Sequence, residues 1–105
     1  MNFIDTATLA VIERKPGWRG RGFDSPSMTF VQYEFDAGAS IHEHRHPEEE
    51  VWQILEGELE ITIGGETQRV GPGFVGIVPP DTIHSVRAVA GGKAIVTDFP
   101  RRPMA

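Results

Sequence analysis

Glycine and proline recur so closely along this chain that little room is left between them for anything longer than a strand. Twelve glycines and eight prolines are spread over 105 residues. Glycine favours turns and proline removes a backbone donor, so both punctuate regular structure. The runs between them are short and rich in Val, Ile, Phe and Thr, which suit a pleated, half-buried surface. Met28 to Phe35 places Val31, Tyr33 and Phe35 in alternation with Gln32 and Glu34. Val51 to Leu55 is apolar apart from Gln53, as expected of a strand covered on both faces. Glu58 to Ile63 alternates strictly, and Gly64-Gly65 follows as a two-residue hairpin turn. Further strands are expected at Thr67 to Val70, Phe74 to Val78, His84 to Val89 and Ala94 to Phe99. Helical periodicity is absent except for a possible short turn within Thr6 to Glu13. An all-β antiparallel barrel, closed or sandwiched so that few strand edges are exposed, is the economical fold.

The barrel is expected over residues 28–99, with a less determined N-terminal arm or edge strand over 1–27 and a tail over 100–105. Trp18 to Phe23 carries too much glycine to be read as a strand; it reads as a surface loop with one tucked aromatic, or an arm packed on the barrel or on a partner subunit. With 15 acidic and 10 basic residues the formal charge is −5, and no basic run could track a phosphate backbone, so nucleic acid is excluded as a partner. No apolar run is long enough to span a bilayer. The first residues lack a basic region followed by an apolar core, which makes the cytoplasm the default expectation. The chain has no cysteine, so a metal site would have to use histidine and carboxylate.

The residues that carry chemistry lie between Gly38 and His84. His44 and His46 are two apart, so on an extended chain both imidazoles face one side. Glu50 has the same parity, and Pro47 lets the chain turn so that the carboxylate returns over the histidines. His84 comes a strand pair later, after the turn at Pro79-Pro80-Asp81. Three imidazoles and a carboxylate gathered without a cation would leave partly buried polar groups unpaired, so a divalent metal ion is the expected occupant. His42 shares the parity of His44 and His46, which makes it a candidate acid/base beside the ligands. Trp52 and Ile54 share that of Glu50 and should wall the pocket.

The spacing of Gly38, His44, His46, Glu50 and Gly57 resembles the first motif of the cupins at every fixed position. Gly73, Pro79 and His84 resemble the second. Asp81 departs from it where glycine is usual, yet aspartate tolerates unusual backbone angles in turns. Ala88 departs where asparagine is often found. The resemblance implies a double-stranded β-helix, or jelly roll, over roughly Met28 to Phe99. It also implies one divalent ion held by His44, His46, Glu50 and His84. Such a mixed nitrogen and oxygen set suits Fe, Mn, Ni, Zn or Cu.

Two functions follow as expectations. One is a metal-dependent enzyme acting on a small polar metabolite, either an isomerase or lyase of a sugar acid or a dioxygenase. The resemblance extends to small single-domain cupins that open unsaturated uronate sugars. The other is a non-catalytic module that senses a sugar or small acid. An acid/base group besides the ligands would discriminate between them, and His42 is the candidate. A homodimer is expected from the family and from the small core. Arg19, Arg21 and Arg87 are cations that could grip a substrate carboxylate, although solvation suits each of them as surface residues.

Overall fold

The computed structural model describes residues 2–103. Asp5 caps a single 3₁₀ turn at Thr6–Thr8, its side chain accepting from the backbone of Ala7, and this is the only helix among the described residues. Eight strands follow: β1 (Ile12–Lys15), β2 (Trp18–Asp24), β3 (Thr29–Phe35), β4 (Ser40–His44), β5 (Glu49–Ile63), β6 (Glu66–Val70), β7 (Val75–Val78) and β8 (His84–Phe99).

Two long strands organise the molecule. The first half of β5 pairs with β7 on one side and with the second half of β8 on the other; β8 in turn pairs with β3, β3 with β2 and β2 with β1. The second half of β5 pairs with β6 and with the first half of β8, which also pairs with β4. Every pairing is antiparallel. β5 and β8 therefore run through both layers of a jelly roll. The sequence placed a break in each of them, at Glu56-Gly57 and at Gly91-Gly92. In the structure the breaks are bends, marked by three irregularities in the β5–β8 register. Gly57 makes the bend possible: its φ is +81°, and a Cβ there would lie 2.5 Å from the carbonyl oxygen of Gly91.

The core lies between the layers. Trp18, Val31, Phe35, Trp52, Ile54 and Val96 from one layer face Ile41, Leu59, Ile61, Val70, Val86 and Ala88 from the other. Trp18 packs edge-on against both Tyr33 and Trp52, with centroids 5.6 and 5.9 Å away. The glycine-rich stretch read from sequence as a loop is thus β2, paired with β3 over seven residues in unbroken register. Gly20 stands opposite Tyr33 and Gly22 opposite Val31. Small residues in a strand are tolerated where neighbouring aromatics take the space, and long-range pairing overrode the local propensity. Residues 100–103 follow β8, while residues 104 and 105 of the expected tail lie outside the described residues.

Candidate metal centre

On β4, Ile41 pairs with Val86 and His44 with His84. Three steps on β4 therefore face two on β8, which is a β-bulge. Val86 and His84 are both buried, and the bulge brings Ile41 and His44 to the same inner side while leaving His42 exposed. The parity that grouped His42 with His44 does not survive the extra residue. His42 contributes its carbonyl, which accepts from His44 Nδ1 at 2.8 Å.

The other two histidines are held in the same way. His46 Nδ1 donates to the Glu48 carbonyl at 3.1 Å, and His84 Nδ1 to the Thr82 carbonyl at 2.8 Å. A carbonyl can only accept, so each Nδ1 carries a proton and Nε2 is the nitrogen turned toward the cluster. The backbone of Asp81 donates to the His46 carbonyl at 2.8 Å, which fastens the turn before His84 to the loop carrying His46. Asp81 sits at φ +56°, the left-handed conformation that its glycine-like position requires. The ring centroids of His44 and His84 are 4.2 Å apart, and those of His46 and His84 5.0 Å.

Glu50, on the inner side of β5, completes the cluster. Its Oε2 lies 3.2 Å from His84 Nε2 and its Oε1 3.4 Å from His46 Nε2. Trp52 donates its indole N–H to Glu50 Oε2 at 2.7 Å, both residues being buried. Directly across the ladder from Glu50, on β8, stands Asp98, also buried. Burial and the Glu50 carboxylate together push the Asp98 carboxyl up to about 8. Burial alone would raise Glu50 too, but the neighbouring His84, Asp98 and Trp52 side chains outweigh it and keep Glu50 ionised. Two adjoining carboxyls cannot both carry charge cheaply, so the pair favours holding one proton. Burial lowers His44, favouring its neutral form. Burial also acts to lower His84, but Glu50 and the Thr82 carbonyl reverse the balance and raise it.

His46 Nε2 and His84 Nε2 are buried without a hydrogen-bond partner. Orphaned nitrogens in the interior carry a desolvation cost that a cation would remove. The donor atoms of His44, His46 and His84 lie within 4.8 Å of one another, and so do those of His46, Glu50 and Asp98. Backbone carbonyls on Nδ1 are the outer-shell partners that orient metal-binding imidazoles. These two overlapping groups, which share His46, fit a divalent ion.

A cavity of about 370 Å³ adjoins this cluster through Glu50 and Asp98. Its buried end presents Glu50 and Asp98, its walls include Trp18, Tyr33 and Trp52, and its exposed end carries Arg14, Lys15 and Arg102. None of the four histidines is among the lining residues. The arginines singled out from the sequence lie elsewhere: Arg19 forms a two-pronged pair with Asp36 at 2.9 and 3.0 Å, Arg87 reaches Glu60 at 3.4 Å, and Arg21 Nε donates to the Leu9 carbonyl at 3.4 Å. Asp98 and Arg102 were missed. The signal for Asp98 was present, since it shares the inward parity of Ala94 and Val96 and is the one charged residue on that face of β8 beyond the bend. Arg102 follows the last strand, where no periodicity gives an orientation.

Fold and site together define a β-sandwich protein with an interior cavity that ends on the carboxyl groups of a histidine and carboxylate cluster. Residues 31–100 match the family model described as the Cupin domain, and the protein belongs to that family. An RmlC-like cupin from Shewanella frigidimarina superposes with a TM-score of 0.90 at 24% identity, over 97% of this chain and 93% of that one. KdgF from a Halomonas species gives 0.89 at 25% identity, over 96% of each chain. Bacillus subtilis oxalate decarboxylase, a protein with Mn(II) centres, gives 0.82 at 21% identity over 92% of this chain but only 29% of its own. In sequence, an uncharacterized protein of Streptomyces coelicolor is 29% identical over 73 residues, 70% of either chain.

Proposed function

We propose that the protein is a divalent-metal-dependent enzyme that acts on a small polar metabolite, as an isomerase or lyase of a sugar acid. The observation that carries this reading is Asp98. It is an ionisable group on the cavity surface, beside the ligand set: its Oδ1 is unpartnered, and its one ion pair, to Arg102, is long at 4.0 Å. A binding module needs ligands and complementary walls; it does not need a carboxyl group positioned to exchange a proton with what the cavity holds. His44, His46, Glu50 and His84 would hold the ion, which when bound supplies Lewis acidity toward a carbonyl or enediol oxygen. Trp52 orients Glu50, and the aromatic walls exclude water from the buried end of the cavity. Asp98 takes or gives the proton, the role expected from sequence for His42.

The test is a screen of metal-loaded protein against uronic sugars, 1,3-diketones and catechols, under air and under nitrogen, with Asp98→Asn alongside. Turnover of a sugar acid under nitrogen is expected, with Asp98→Asn keeping its metal and losing about 10²–10⁴-fold in rate. Oxygen uptake with a diketone or catechol would replace the reading with a dioxygenase, and saturable binding without turnover would replace it with a sensor.

We also propose that a second copy of the chain covers the outer face of the larger layer. Ile77, Val51, Thr97, Phe30 and Phe23 form one row across five strands, and Ile77, Val75 and Leu55 are about half exposed. Five strands span roughly 20 Å, enough for an interface of about 800 Å² per partner. Light scattering should give twice the chain mass for the wild type and a folded monomer for Ile77→Lys; a monomeric wild type would overturn the proposal.

A further inference from the structure

We infer that Arg14, Lys15 and Arg102 form a carboxylate-binding subsite at the mouth of the cavity, and that the segment after β8 is the strap that holds Arg102 in place. This rests on the cavity being the site of a small polar metabolite. It specifies which end of that molecule goes where: an acid group at the mouth, and hydroxyl or carbonyl oxygens at the Glu50–Asp98 end.

The distribution of charge is the first ground. The chain is acidic, with ten basic residues against fifteen acidic ones, yet three of the ten basic residues converge on one cavity. The cavity's own acids are Glu50 and Asp98, both at the buried end. The three cations at the mouth attract an anion entering the cavity.

The second ground is how Arg102 is held. Its backbone N–H donates to Thr29 Oγ1 at 2.9 Å, and the Thr29 hydroxyl donates to Asp24 Oδ1 at 2.6 Å. Thr29 is almost wholly buried, at 2% exposure. A buried hydroxyl at the start of β3 thus pins the backbone of a residue three positions beyond the last strand. The guanidinium group makes two long ion pairs and no hydrogen bond. Nε is 3.8 Å from Glu48 and Nη1 4.0 Å from Asp98, both beyond hydrogen-bond length, and the side chain is 44% exposed. Arg19 shows the contrast, with two short bonds to Asp36. Arg102 combines a fixed backbone with unspent planar donors, which is the state a fork-shaped carboxylate clamp needs before its ligand arrives. The cavity has room for roughly a dozen water-sized groups, which fits one sugar acid and excludes a polymer chain in the interior.

The experiment compares D-galacturonate with D-galactose, which differ at the carboxylate, by isothermal titration of metal-loaded protein at low and moderate salt. D-Glucuronate and D-glucose serve as a second pair. Wild type should bind at least one acid about tenfold more tightly than its neutral parent, with the preference shrinking as salt rises. Arg102→Gln should remove most of that preference and leave metal content, thermal midpoint and neutral-sugar affinity unchanged. Thr29→Val, which removes the anchor and keeps the side chain's shape, should weaken acid binding in the same direction. Equal affinity for acid and parent, wild-type acid affinity in Arg102→Gln, or no binding of either acid would each overturn the inference. Failure of the proposed enzyme reads out differently: acids bind with the Arg102-dependent preference and are not turned over.

Discussion

Replacing Trp52 with phenylalanine removes one hydrogen-bond donor from the metal cluster and keeps an aromatic ring in the core. The donor lies 2.7 Å from Glu50 Oε2, and both groups are cut off from water. A hydrogen bond to a charged group is worth about 1.5–3 kcal/mol. The smaller ring also loosens the contacts with Trp18 and Tyr33, whose centroids lie 5.9 and 6.0 Å from that of Trp52, at about 1–2 kcal/mol. The second term is packing and should affect stability only. The first should affect metal binding as well, because Trp52 fixes which way the Glu50 carboxylate faces. Loss of an outer-shell partner weakens metal affinity about 10–100-fold, or about 1.4–2.8 kcal/mol.

The structure supplies its own control. Trp18 is equally buried and belongs to the same aromatic cluster, but its Nε1 has no hydrogen-bond partner. Trp18→Phe therefore loses ring volume without losing a bond. Chelator-competition titrations with Zn²⁺ or Mn²⁺ should show weakened affinity for Trp52→Phe and wild-type affinity for Trp18→Phe. Both variants should melt lower, by roughly 4–8 °C for each kcal/mol lost. If the two lower metal affinity equally, or neither does, the Trp52–Glu50 bond does not organise the site.

Three further outcomes are expected. In metal-free protein, His84 and Asp98 are both raised above their ordinary values, so the folded state holds those protons more tightly than the unfolded chain. The stability they contribute is present in acid and is lost as pH climbs through the folded values, so the thermal midpoint of chelator-treated protein should fall from pH 6 to pH 8.5. Metal-loaded protein should show the opposite trend, because protons compete with the ion for His84; parallel trends would refute the assignment. Gly57→Ala should cost at least about 3 kcal/mol, since the left-handed φ of +81° is added to the clash with Gly91, whereas Gly65→Asn, with no atom near its would-be Cβ, should cost about 1 kcal/mol or less in a urea melt. Asp81→Gly should lie within about 1 kcal/mol of wild type while Asp81→Val loses about 2 kcal/mol or more, if the turn before His84 does demand the left-handed conformation.

How much of this was legible depended on the range over which each residue's position is decided. The alternation from Glu58 to Ile63 and the Gly64-Gly65 turn are local, and they appear as the second half of β5 and a hairpin with both glycines at positive φ. The bends in β5 and β8 looked like strand ends because glycine marks both, and only the cross-strand approach of Gly57 to Gly91 distinguishes them. β2 was hidden because its glycines are unfavourable alone, and its place is set by pairing with Tyr33 and Val31 of β3. His44, His46, Glu50 and His84 could be grouped from spacing and family pattern, and the structure brings their side chains together.

His42 and Asp98 show where spacing stops being informative. Parity assumes an unbroken pleat, and one inserted residue between Ile41 and His44 reverses it, so a histidine two positions from a ligand faces outward. The bulge is needed because Ile41 must fill the core opposite Val86 while His44 meets His84, and those demands are three residues apart on one strand and two on the other. Asp98 is the converse: nothing near it in sequence concerns metal, yet the β5–β8 register sets it against Glu50, 48 positions earlier. A one-residue slip in that register would turn Asp98 outward and present Thr97 or Phe99 to Glu50 instead. The identity of the cavity's proton-bearing group is thus a property of the pairing between two strands. Shifting that register would test the proposed chemistry as directly as replacing Asp98 itself.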